Sequence, residues 1–355
     1  MKKTLLALAA LAATSAAFAQ SSVTLYGVLD ASVEKVKTDH QVTRVSSDNL
    51  ATSRIGFKGT EDLGSGLKAN FVLESAVKVD TGANGGGASR FFDRAAWVGL
   101  AGGAGELRLG RQDSSIGALA GDTSILGAQG YDDFRMINTR AGYGYRRVDN
   151  AITYILPQVV QGLTAQVQYS LNGGVPGTVG TESYGAAGNY TKNYGISVKY
   201  ANGPLLAGLG YLNVVDDVAG APDNRANATL VYGGYDLGAA KVIAYLNNET
   251  ALTIVPGAKR LSLYGVKAIV PVSPDMTVQA GVSKAKNILG LHDAHDDSTI
   301  TELKGIYKLS KRTSVYGLAT IANNEAVATT AIGGTTAAAA DKVAGGVAFG
   351  VSHAF

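Results

Sequence analysis

Val343-Ala-Gly-Gly-Val-Ala-Phe-Gly-Val-Ser-His-Ala-Phe355 is the stretch on which the fold turns. One parity carries Val343, Gly345, Val347, Phe349, Val351, His353 and Phe355; the other carries Ala344, Gly346, Ala348, Gly350, Ser352 and Ala354. Successive side chains on a strand point to opposite faces, so the segment predicts a strand with one greasy face and one face of small groups. Such a strand suits a closed sheet with hydrocarbon outside. One strand decides nothing alone, and the pattern has to recur.

It does recur along the chain. Val23, Leu25, Gly27, Leu29, Ala31 and Val33 alternate with Thr24, Tyr26, Asp30, Ser32 and Glu34, and Ile55 and Phe57 with Arg54 and Lys58. Leu67, Ala69, Phe71 and Leu73 oppose Lys68, Asn70 and Glu74, and Leu107 and Leu109 oppose Glu106 and Arg108. The same holds for Leu163, Ala165, Val167 and Tyr169 against Thr164, Gln166, Gln168 and Ser170, and for Ile196 and Val198 against Ser197 and Lys199. Leu303, Tyr307 and Leu309 oppose Glu302, Lys304 and Lys308. In a soluble sandwich these mid-strand charges would be buried in a dry core. In a wide barrel they line water, whereas a charge facing lipid near the midplane costs about 2–4 kcal/mol.

The connections sort into two kinds. Short turns are predicted at 64–66, 101–105, 157–162, 201–204, 236–238, 271–275 and 309–311. Polar or glycine-rich stretches alternate with them at 36–50, 80–89, 113–145, 171–189, 216–225, 250–258, 287–298 and 323–341. Seven turns and eight loops join sixteen strands, so the expectation is a 16-stranded antiparallel transmembrane β-barrel with short connections at one rim and long ones at the other.

Composition agrees with an exported all-β chain. There are 46 glycines, 17 tyrosines, 7 prolines and no cysteine, so stability must come from hydrogen bonds and burial without covalent staples. Lys and Arg number 31 against 28 Asp and Glu, a balance that implies no nucleic-acid partner. Lys2 and Lys3 precede an apolar run, and Ala17-Phe-Ala19 offers a small-x-small cleavage pattern. Residues 1–19 are therefore expected to be a signal peptide, and residues 20–355 the barrel domain. No later segment has the roughly 18 consecutive apolar residues of a transmembrane helix.

Several ordered motifs resemble the Gram-negative general porins of the beta-proteobacterial branch. They are Val23-Thr-Leu-Tyr-Gly27, Ser53-Arg-Ile-Gly-Phe-Lys-Gly-Thr-Glu-Asp-Leu-Gly64, Phe92-Asp-Arg-Ala-Ala-Trp-Val-Gly-Leu100, Gly105-Glu-Leu-Arg-Leu-Gly-Arg111, Arg147-Val-Asp-Asn-Ala-Ile-Thr-Tyr154 and Ser352-His-Ala-Phe355. The resemblance spans essentially the whole mature chain. It implies a homotrimeric, water-filled outer-membrane channel for ions and small hydrophilic solutes, with a third loop folded into the lumen. It also implies that the second external loop, around 82–87, latches onto a neighbouring subunit, and that Phe355 is read by the outer-membrane assembly machinery. Outer-membrane lipid and lipopolysaccharide would surround the barrel, and no cofactor is implied.

A lumen sixteen strands around is too wide to select unless something narrows it. The longest interior connection, 113–145, is the natural constriction loop; it contains Asp113, Asp122, Asp132 and Asp133 and is followed by Arg146 and Arg147. Parity puts Arg54, Lys58, Lys68, Glu74, Arg94 and Arg108 on the lumen wall. In the porins that the chain resembles, wall arginines face loop carboxylates across the narrowest point, and motif by motif those arginines are Arg54, Arg94 and Arg147. Lys58 and Arg108 suit either the constriction or a plain polar wall, and Asp132 and Asp133 suit either the eyelet or a solvated turn. Arg111 shares the parity of Leu107 and Leu109 and is expected beyond the lipid band. The excess of wall cations suggests a weak preference for anions.

Rival chemistries find less support. His292-Asp-Ala-His-Asp-Asp297 could hold a divalent metal, but it falls on an external loop and reads as a solvated tip. The glycines at 82–87 lack a phosphate-binding pattern. A barrel hydrolase would need a histidine beside a nucleophile, yet His40, His292 and His295 fall on loops and His353 on the outward face near the rim. A substrate-specific channel would show a run of lumen aromatics, and the inward residues are mainly charged or small.

Overall fold

The computed structural model describes residues 22–85, 90–123, 131, 146–171, 190–217, 224–250, 259–288, 290, 295–325 and 342–355. The first strands are β1 (Ser22–Lys37), β2 (Gln41–Ser47), β3 (Arg54–Gly64), β4 (Leu67–Ala76), β5 (Ala95–Gly102) and β6 (Gly105–Asp113). A helix α1 (Gly117–Thr123) precedes β7 (Arg147–Ile155), β8 (Leu163–Ser170), β9 (Tyr190–Asn202), β10 (Leu205–Asp217) and β11 (Asn224–Asp236). The chain continues through β12 (Lys241–Glu249), β13 (Leu261–Pro271), β14 (Met276–Lys286), β15 (Ser298–Lys308), β16 (Thr313–Asn324) and β17 (Val343–Ala354).

Neighbouring strands pair antiparallel, and β17 returns to β1 with Val28 opposite Ala354 and Lys37 opposite Gly345. Gly27 and Phe355 exchange two further backbone hydrogen bonds of 3.1 Å each. Closure leaves no strand edge to template pairing with another chain. The seventeen segments make sixteen staves, because β2 pairs with the outer half of β1 and β3 with its inner half. The seven short turns fall at the positions expected from the sequence.

The stretch 36–50 departs from expectation. A loop is expected there, but β1 runs to Lys37, turns through Thr38 and His40, and returns as β2. Residues 48–53 then break the stave. Asp48 takes a left-handed backbone (φ 75°), and its carboxylate accepts from the Ser53 amide and the Lys78 ammonium, both at 2.7 Å. The buried chain is thus satisfied at the break, as a buried backbone has to be.

Hydropathy is inverted relative to a soluble protein. In β1, Val23, Leu25 and Val33 are 64%, 53% and 57% exposed, while Asp30 and Glu34 are 0% and 1% exposed. Apolar residues outside and polar ones inside are what a lipid-facing barrel requires.

Glycine and tyrosine explain much of the inner wall. Tyr26, Tyr232, Tyr245 and Tyr316 stand directly opposite Gly56, Gly208, Gly265 and Gly350 on the next strand. Each ring lies over its glycine, where any Cβ would strike it. The tyrosine therefore reaches past one strand, so that Tyr26 bonds Glu74 on β4 and Tyr316 bonds Asp30 on β1, each at 2.8 Å.

Candidate pore constriction

The basic wall gathers at the outer ends of β3 to β7. Arg54 opens β3 and sits opposite Ala76, with its Nε 3.6 Å from Glu74. Arg94 immediately precedes β5 as an extension of the wall; its backbone amide bonds the Glu74 carbonyl and its Nε approaches the Glu74 carboxylate to 2.5 Å. Glu74 therefore takes two guanidinium groups and the Tyr26 hydroxyl. Arg147 opens β7 opposite Asp113, with its Nε 3.3 Å from that carboxylate. Arg94 and Arg146 lie close enough to Arg54 and Arg147 for mutual repulsion. Three guanidinium groups thus pair with two carboxylates, Glu74 and Asp113, a fourth, that of Arg146, lies nearby, and the surplus is positive.

Loop three is pinned to the opposite wall by its start. Ser114 accepts from the Gly117 amide and caps α1, while the Ser115 hydroxyl bonds the Tyr211 carbonyl on β10 at 2.7 Å. Ile116 and Leu119 fill the space left by Gly210 and join Leu206, Leu212, Leu230 and Ile243 in a buried apolar cluster. Asp122, on α1, pairs with Lys199 at 2.8 Å and accepts from Tyr232 at 2.5 Å. The lumen face of β10 to β12 is therefore dry where α1 covers it, in contrast to the mainly charged or small inward residues expected. Further along the loop, the Tyr131 hydroxyl donates to Glu34 and the Thr320 hydroxyl donates to the Tyr131 carbonyl. Burial, together with the Glu34 charge, raises the Tyr131 hydroxyl well above the ordinary phenol range.

Glu34 is saturated by three donors, Arg44, Asn49 and Tyr131, and so holds a broken stave and the loop together. Asp30 acquires a task that the sequence did not assign: its carboxylate receives Tyr316 and the Leu50 amide beside the break.

Of the wall residues named from sequence, Arg54, Glu74, Arg94 and Arg147 come together. Lys58 and Arg108 lie nearer the short-turn rim, and Lys68 nearer still, opposite Asp62. Asp113 ends β6 and Asp122 anchors α1, so neither is a free loop carboxylate. Asp132 and Asp133 lie outside the described residues. Arg111 keeps its register partner Ala96 near the outer end of β6, where Asp149 binds both it and Arg90 at 2.5 Å. The β6–β7 register shifts at Gly110, and Asn150 adopts φ 50°, which brings Asp149 to that pair. Tyr26, Glu34 and Tyr131 join the candidate site from the structure; Tyr26 and Glu34 share the polar parity of β1 and are legible there, whereas Tyr131 lies in the loop. In the 292–297 stretch, His295 is 3.9 Å from Glu325 and Asp297 is 3.3 Å from Lys284, while His292 lies outside the described residues.

Sixteen staves, an apolar exterior, a polar interior and a loop carried across to the far wall define a channel protein of the bacterial outer membrane. The chain belongs to the Gram-negative porin family, whose model matches residues 6–327. It is 34% identical to outer membrane porin protein 32 of Delftia acidovorans over the full length of both chains. In structure it is similar to the anion-selective porin from Comamonas acidovorans, with a TM-score of 0.79 and 27% identity over 95% of this chain and 100% of that one. The trimer form of OmpT from Vibrio cholerae shares the fold at a TM-score of 0.67, with 16% identity over 94% of this chain and 99% of that one. The protein is an outer-membrane porin, a water-filled channel for passive diffusion of ions and small hydrophilic solutes.

Proposed function

We propose that Arg54, Arg94 and Arg147, with Arg146 beside them, form the constriction and give the pore a preference for anions. The observation that carries this reading is the sharing of Glu74 by Arg54 and Arg94, which leaves the wall with more positive than negative groups. Fixed charge on low-dielectric walls focuses a field across a narrow lumen, orients dipolar solutes and raises the local concentration of counter-ions. Asp132 and Asp133 are the carboxylates we assign to the facing side. The solved relative described as anion-selective supports the sign.

Reversal potentials of single channels in a salt gradient test it. The wild type should favour anions, and replacing Arg54, Arg94 and Arg147 together by Gln should abolish the preference. A cation-selective wild type whose ratio is unmoved by that replacement would sink the assignment.

We further infer a homotrimer in lipid and lipopolysaccharide, inserted by an assembly machinery that reads Phe355, from a precursor cleaved before Gln20. Chemical cross-linking in native membranes and N-terminal sequencing of the mature protein check the first and last of these. We read the chain as a channel without catalytic activity. Hydrolysis of phospholipid or peptide by the purified protein, lost on replacing a histidine, would overturn that reading.

A further inference from the structure

A second station lies in series with the arginines, on the same wall but nearer the short-turn rim. Lys58 is four residues along β3 from Arg54, which is about 13 Å at the rise of a strand. Lys58, Val72 and Trp97 are register partners on three consecutive strands. They border a recess of about 420 Å³ that Thr24, Thr60, Asn70, Glu106 and Arg108 complete. Its two halves differ in charge.

On one side the Arg108 charge is already paired. Its guanidinium lies 4.2 Å over the Trp97 ring and bonds Glu106 at 2.7 Å, and Glu106 also accepts from Asn70 at 3.1 Å. Gly99, opposite Arg108, leaves the room for that stack, since a Cβ there would press on the Arg108 side chain. This half is a neutral, planar, partly apolar platform. On the other side Lys58 is exposed to the lumen and, among the described residues, makes no ion pair; its Nζ lies 5.3 Å from the centre of the Tyr26 ring. The side chain of Val72 stands between the two halves. With strands about 4.8 Å apart, the Cα atoms of Lys58 and Trp97 are separated by about 10 Å.

A bare inorganic anion would use only the lysine. A sugar would use the hydroxyls and the amide but not the cation. We propose that this recess is a weak binding station for planar organic monoanions of the aromatic carboxylate class. The carboxylate would sit at Lys58, and the apolar ring would lie over Val72 against the Trp97–Arg108 stack. The proposal rests on the porin reading, because the recess is reached only through an open lumen.

Trp97 is the only tryptophan in the chain, so its fluorescence reports on the recess alone. Titration of the purified, channel-forming protein with benzoate should change Trp97 emission in a saturable way. Lys58→Gln should raise the half-saturating concentration by up to about fivefold, the upper end for a solvated charge contact. Val72→Thr should weaken benzoate while leaving the weaker effect of acetate unaltered. An unchanged half-saturation in Lys58→Gln, or benzyl alcohol saturating at the same concentration as benzoate, overturns the proposal while the porin reading stands. Failure of the wild type to form conducting channels in a planar bilayer overturns the porin reading itself.

Discussion

Glu74 is the residue whose loss tests the constriction most directly, because it removes charge without touching an arginine. Its carboxylate is held by Arg54, Arg94 and Tyr26, so Glu74→Gln keeps the size and much of the hydrogen bonding but frees the two guanidinium charges. Anion preference should then rise, whereas Arg94→Gln should lower it. A unit charge about 7 Å from a passing ion is worth about 0.6 kcal/mol even at the dielectric of water, so each change should move the permeability ratio about twofold or more. Reversal potentials in a potassium chloride gradient measure both variants. Because the Debye length is about 10 Å at 0.1 M and about 3 Å at 1 M, the shifts should shrink as salt rises. Opposite signs for Glu74→Gln and Arg94→Gln are required; shifts in the same direction would mean that the cluster acts through shape and not through charge.

At the scale of elements, α1 keeps the third loop against the far wall, and its two kinds of anchor can be cut separately. Leu119 is buried over Gly210, and Asp122 ties Lys199 to Tyr232. Leu119→Ala combined with Asp122→Asn should loosen the loop, since a buried Leu→Ala change alone costs about 2–5 kcal/mol. Liposome swelling should then admit larger oligosaccharides than the wild type admits. An unchanged size limit would show that the anchoring at Tyr131 is sufficient. Little of this anchoring could be read beforehand. Strand number and turn positions were legible because each short turn carries glycine or another turn residue and each spanning strand has an apolar parity. The β1–β2 hairpin was missed because its outward row includes Lys35, Lys37, Gln41 and Thr43, so pairing continues after the lipid-facing signal has ended. The Arg111–Asp149 pair was hidden by the register shift at Gly110, although a glycine inside a strand pattern is a recognised sign of one. Arg54, Arg94 and Arg147 were legible from motif and parity. The carboxylate common to Arg54 and Arg94, that of Glu74, is reached by Tyr26 across Gly56 and depends on register between strands, which a single sequence does not display.

For the molecule as a whole, the membrane is the solvent that decides which face of each stave is stable. Leu303 is 53% exposed on the outward face at the middle of β15, while its neighbours Glu302 and Lys304 turn inward and are buried. Moving a charge by one residue therefore moves it from lumen to lipid. Leu303→Arg should destabilise the folded barrel by about 2–4 kcal/mol, whereas Leu309→Arg, at the short-turn rim, should cost about 0–1 kcal/mol because the penalty falls toward the interface. Equilibrium unfolding in urea from phosphatidylcholine vesicles, followed through the single tryptophan, compares the two. In detergent micelles the gap between them should narrow, because a micelle deforms and lets water reach the arginine more readily than a bilayer does. Equal penalties at Leu303 and Leu309 in the bilayer would contradict an outward, mid-membrane position for β15. A penalty that follows depth ties the alternation of a single strand to the thickness of the membrane around all sixteen staves.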